Sequence, residues 1–107
     1  MGPKQYQIVW VNLDPTIGSE IKKTRPCVIL SPDELNDHLK TIIIAPMTTV
    51  SKLYPTRIKI MHNGQEGWVI IDQIRTIDKT RIIQQAGFLT DQEILACKNI
   101  MRQTFVD

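Results

Sequence analysis

Short runs of β-branched and aromatic residues follow one another at close spacing, and no helical repeat interrupts them before Thr90. They are Ile8–Leu13, Cys27–Leu30, Thr41–Ala45, Thr56–Met61 and Gly67–Ile71, with Ile82-Ile83 opening one more that stops at Gly87. Such residues favour pleated, half-buried backbone. Parallel strands need a crossover of about a dozen residues or more, most often a helix, and no alternation of strand and helix is present. The order therefore predicts a mainly β chain of the α+β class: a small, strongly bent antiparallel sheet or barrel with one terminal helix. At 107 residues the chain suits one domain, 1–107, with one core.

The punctuation supports this reading. Asn63-Gly64 marks a tight hairpin turn between Thr56–Met61 and Gly67–Ile71. In the first of these strands Ile58 and Ile60 alternate with Arg57 and Lys59, which predicts a basic outer face. Ser31-Pro32-Asp33-Glu34 is a helix-start signal with Ser31 as cap, good for a turn or two. Pro46 is expected to end the most apolar strand, and Asp72–Arg81 reads as strand end and turn. Thr90-Asp91-Gln92-Glu93 is a capping box, followed by Ile94, Cys97, Ile100, Met101 and Phe105 at helical spacing.

Composition narrows the classes of function. Apolar residues make up 42% and charged residues 22%, enough to build a core. The net charge of +2 permits an anionic partner without requiring one. No apolar run reaches the roughly 18 residues of a membrane span, and the N-terminus lacks the apolar segment of a signal peptide, so the expected location is the cytoplasm. Cys27 and Cys97 lie too far apart for a zinc framework and read as buried, reduced thiols. His38 and His62 show no metal-ligand spacing and read as solvated, His38 in a polar loop and His62 in a turn.

Two long loops remain, 14–25 and 47–55, each bounded by prolines. The first takes about a dozen residues where most connections take about 4–6. Long loops on a rigid strand scaffold are where binding and catalytic groups concentrate. If they open on one side of the barrel, they bring together Glu20, Arg25, Thr48, Thr49 and Ser51, ringed by Lys22, Lys23 and Lys52. No nucleophile–His–acid set and no carboxylate cluster for a metal can be assembled. A fixed guanidinium with hydroxyls suits a phosphate and the charge that develops on it. RNA can supply its own nucleophile, the 2′-OH beside the scissile phosphate, so such a site needs only to align that hydroxyl and stabilise the phosphorane. On residues alone, a nuclease and a plain RNA-binding barrel stay equally open.

The residues then show a resemblance. Val9-Trp10-Val11-Asn12-Leu13-Asp14-Pro15-Thr16-Ile17-Gly18-Ser19-Glu20, with Thr24-Arg25-Pro26-Cys27-Val28-Ile29-Leu30-Ser31, is similar to the opening signature of the MazF/PemK toxins. Ile44-Ala45-Pro46-Met47-Thr48-Thr49 resembles the second motif of that family, and Ile71–Lys79 its third. The resemblance implies an SH3-like barrel of the CcdB/PemK type. It implies a homodimer and the toxin half of a toxin–antitoxin pair, blocked by a MazE-like antitoxin. The activity implied is ribosome-independent cleavage of single-stranded RNA, without metal or other cofactor, to 2′,3′-cyclic phosphate and 5′-OH ends. Arg25 and Thr48 fall on the catalytic pair, and Glu20 on a third implicated position. Expected RNA contacts are Ile17, Ser19, Lys22, Lys23, Thr49, Ser51, Lys52, Arg57 and Gln73. A plasmid-borne branch pairs a His with an Arg; those positions here hold Ser19 and Ile70, so that version does not carry over, although Asp72 matches its Asp. Asp72, Gln73 and Arg75 read first as a structural polar network. The alternative from another class is a non-cleaving, CcdB-like toxin that binds a protein such as DNA gyrase.

Overall fold

The computed structural model describes residues 2–13, 24–50 and 56–106. The two expected loops fall largely outside them, and with them Ile17, Ser19, Glu20, Lys22, Lys23, Ser51 and Lys52. The described strands are β1 (Gln7–Asn12), β2 (Thr24–Ile29), β3 (Thr41–Thr48), β4 (Arg57–His62), β5 (Gln65–Ile70), β6 (Arg75–Asp78) and β7 (Ile82–Phe88). Helix α1 (Asp33–His38) lies between β2 and β3, and α2 (Asp91–Phe105) follows β7. All pairings among them are antiparallel, in the order β4-β5-β3-β2-β1-β7, with β6 also on β3. This is the bent antiparallel sheet with a terminal helix that the sequence predicts.

The central strands are apolar nearly throughout because both faces are covered. Ile8, Val28, Ala45 and Met47 enter one core with Ile58, Ile60, Val69 and Ile71, closed by Cys97 of α2. The alternate residues Val9, Val11, Cys27, Ile29, Ile42 and Ile44 enter a second core with Ile77. The two-residue side-chain period of a strand sends neighbours to opposite faces.

β3 does not stop at Pro46; it runs on to Thr48, correcting the expected strand end. The register explains why proline is tolerated. Ile44 pairs with Arg75 of β6 and Met47 with Val69 of β5, so three steps along β3 face six along the partner. The surplus is the 3-10 turn Ile71–Gln73. Pro46 therefore sits where this side of β3 changes partner and the ladder is already broken, the kind of place where a sheet accepts a missing N–H. β6 is itself a correction, since Asp72–Arg81 is not simply strand end and turn. β7 likewise continues through Gly87, at φ 110, to Phe88.

The helices divide in the same way. The capping box of α2 forms as expected, with Thr90 Oγ1 accepting from Glu93 N–H and a Glu93 carboxylate oxygen accepting from Thr90 N–H. Ile94, Cys97, Ile100 and Met101 pack inward, whereas Phe105 stays exposed. Ser31 does not cap α1. Pro32 occupies the cap position without a side-chain bond, and the Ser31 hydroxyl instead bonds Asn36 and accepts from Ile43 N–H. It ties the short helix to β3.

Candidate functional site

A cavity of about 260 Å³ opens where the ends of β1, β2 and β3 meet the β4–β5 hairpin. Its lining brings Arg25, Thr48 and Thr49 together, joined by Trp10, Thr24, Pro26 and Met47 from the central strands. The opposite wall is His62, Asn63, Gln65, Glu66 and Gly67. Trp10 and Pro26 are direct cross-strand partners, and the indole remains 38% exposed. An exposed aromatic in the wall of a cavity can stack a base.

Each polar member is fixed by its element. Arg25 sits on β2 opposite Val11, half-buried, so the guanidinium starts from paired backbone rather than from a loose loop. Thr48 is on β3 opposite Trp68 and only 7% exposed. Its hydroxyl accepts from Val50 N–H at 3.1 Å, which leaves the hydroxyl's own proton to donate. The hairpin is held by Asn63 and Gly64 at φ 52 and 75, the positive values that a tight two-residue turn requires.

Other expected contacts go elsewhere. Arg57 is on β4, its side chain 13% exposed, with Nε 3.9 Å from an Asp72 carboxylate oxygen. Thr56 donates its hydroxyl to the same oxygen at 2.8 Å, so Asp72 clamps the start of β4. Lys59 pairs with Glu66 at 3.0 Å. The basic outer face expected of β4 is thus neutralised by carboxylates, and Arg57 does not line the cavity. Gln73, half-buried in the 3-10 turn, does not line it either. Arg75 and Arg81 donate to the carbonyls of Leu13 and Asn12, anchoring the chain where the long loop departs.

Sequence reasoning passed over Trp10 and His62. The signal for His62 is in the strand itself. Ile58, Ile60 and His62 stand at every second residue, so the pleat that buries the isoleucines turns the imidazole to the same face. His62 is half-buried rather than solvated. The thiols lie apart from the cavity: burial pushes both Cys27 and Cys97 up to about 12. Among the described residues no group of three or more His, Cys, Asp or Glu could hold a metal ion, and no helix is long and apolar enough to cross a membrane.

The comparisons agree with this architecture. Residues 4–105 match the family described as PemK-like, MazF-like toxin of type II toxin–antitoxin system. The chain is 32% identical over 97 residues to the endoribonuclease toxin MazF of Escherichia coli strain K12, covering 90% of this chain and 87% of that one. It is 30% identical over 104 residues to the endoribonuclease MazF of Staphylococcus epidermidis, covering 92% and 87%. In fold it is similar to a crystal structure of MazF from Deinococcus radiodurans, with a TM-score of 0.86 at 24% identity over 97% of this chain and 96% of that one. A mycobacterial endoribonuclease solved with its cognate antitoxin gives 0.81 at 20% identity, over 94% and 92%. The chain belongs to the PemK-like, MazF-like family of toxins of type II toxin–antitoxin systems.

Proposed function

We propose that this protein is an endoribonuclease toxin that cuts single-stranded RNA in the cytoplasm, with the substrate's own 2′-OH as nucleophile and no metal. The observation that carries the reading is the convergence of Arg25, Thr48 and Trp10 on one cavity in a chain of this family. The guanidinium makes forked contacts to two phosphate oxygens as charge builds on the phosphorane. Thr48 donates to one of those oxygens. Trp10 offers a stacking face that splays the strand and sets the 2′-OH in line with the phosphorus. Glu20, Ile17, Ser19, Lys22, Lys23, Ser51 and Lys52 complete this site in the proposal, from outside the described residues.

The functional unit we propose is a symmetric homodimer, as most soluble homo-oligomers are. A MazE-like antitoxin with an acidic, disordered tail would inhibit it by occupying the RNA groove. A MazE–MazF complex is known from Deinococcus radiodurans, at 22% identity and a TM-score of 0.80.

The test is cleavage of a defined single-stranded RNA in EDTA, with end-group analysis. Cleavage is expected to persist and to leave 2′,3′-cyclic phosphate and 5′-OH ends. The same RNA with a 2′-deoxy sugar just 5′ of the cut is expected to bind and stay intact. Cleavage of that blocked RNA at a normal rate would falsify the 2′-OH route. Intact RNA together with inhibition of DNA gyrase would establish the CcdB-like alternative instead.

A further inference from the structure

Transfer of the phosphorus from the 5′-oxygen to the 2′-oxygen needs two proton movements, and the groups that stabilise the phosphorane supply neither. A guanidinium keeps its protons at any physiological pH, and so does a threonine hydroxyl. Among the described residues that line the cavity, the acid–base side chains are His62 and Glu66, besides the guanidinium of Arg25. Glu66 is engaged by Lys59 at 3.0 Å. Of the two, His62 suits a proton donor, since imidazole changes charge within the physiological range. Of the chain's two histidines only His62 is there; His38 closes α1.

The imidazole is also positioned. The pleat of β4 turns it inward beside Ile60, and its Nε2 lies 3.4 Å from the Asn63 side-chain amide nitrogen. Its Cε1 edge lies over Gly87 of β7, where a β-carbon would stand 3.7 Å from it, so a longer side chain would press on the ring. The edge strands β4 and β7 thus meet across the histidine. The charged groups around it come from several elements: Arg25 of β2, Glu66 of β5 with its partner Lys59 of β4, and Glu93 of α2, which accepts the neighbouring Met61 N–H. From β7 the contact is the uncharged Gly87.

We infer that His62 is the general acid of this site, donating a proton to the 5′-oxygen as it leaves. The inference rests on the ribonuclease reading. In the step, the 2′-O–P bond forms and the P–5′-O bond breaks. The imidazolium proton passes to the 5′-oxygen, and the 2′-OH proton leaves to solvent water. The imidazole regains its proton from solvent, and the products are a 2′,3′-cyclic phosphate and a 5′-OH.

A substrate that needs no acid tests this directly. Single-turnover cleavage is measured for the wild type, His62→Ala and His62→Gln on an RNA with the ordinary 5′-oxygen. It is then repeated on one with sulfur in that bridging position, which leaves as a thiolate without protonation. His62→Ala and His62→Gln are expected to slow the oxygen substrate about 10²–10⁴-fold and the sulfur substrate only a few-fold. The fall of the wild-type rate toward alkaline pH should disappear in both variants. Equal losses on the two substrates, no loss at all, or a changed cut sequence at full rate would each overturn the role. A wild type that cuts neither RNA would defeat the ribonuclease reading itself, a different outcome.

Discussion

Arg25 concentrates what the residue scale can teach. Its place was only partly readable: the sequence puts Arg25 at the end of the long loop with the strand starting at Cys27, whereas β2 begins at Thr24 and holds Arg25 on paired backbone. Arg25→Ala is expected to lower the single-turnover rate about 10³-fold, the upper end for loss of one preorganised donor, while RNA affinity falls much less. Arg25→Lys should recover little, since an ammonium cannot make the fork. Thr48→Ala should cost about 10²-fold. Retention of more than a tenth of the rate by Arg25→Ala would remove it from the mechanism. Arg57 and His62 show where reading by residue fails. The alternation read for Thr56–Met61 stops short of His62, which β4 includes on the face opposite Arg57. It cannot reveal that Asp72, from another element, takes up Arg57, or that His62 sits in the cavity wall. Both depend on how strands far apart in sequence come together.

Elements whose signals are local were legible; those set by a partner were not. The capping box needs only Thr90 and Glu93 and formed as expected. Strand β6 exists because β3 extends past β5 and offers it an edge, which no window around Arg75–Asp78 shows. Ser31 reads as a cap until Asn36 and β3 compete for its hydroxyl. Glu93 also serves two elements, one carboxylate oxygen on the α2 cap and the other on the Met61 N–H of the edge strand β4. Thr90→Ala should cost about 1 kcal/mol of stability by urea denaturation. Glu93→Ala should cost more, about 2 kcal/mol, because a charge-assisted bond to β4 goes with it. Equal losses for the two would show that the contact to β4 contributes nothing.

At the scale of the molecule, the two cores each enclose a thiol, and this links stability to pH. Cys27 is pushed up to about 12 by burial, against the opposing pull of Arg75. Cys97 is pushed up to about 12 by burial, with Glu93 adding to the effect. In the unfolded chain both ionise at the ordinary thiol value. Their contribution is therefore complete below that value and is lost as pH rises from it toward about 12. The urea midpoint should fall between pH 8 and pH 11, and the fall should shrink in a Cys27→Val, Cys97→Ala variant. An unchanged fall in that variant would assign the effect to other groups. Pro46 has a consequence that precedes folding. Thr41–Ala45 is the most apolar stretch of the chain and is uncharged and β-prone, the composition that stacks between chains when a ribosome releases it unpaired. A proline directly behind it cannot donate to a neighbouring copy, so it shortens the segment available for intermolecular stacking. The residue that marks the change of partner in the finished sheet also guards the newborn chain against the wrong one.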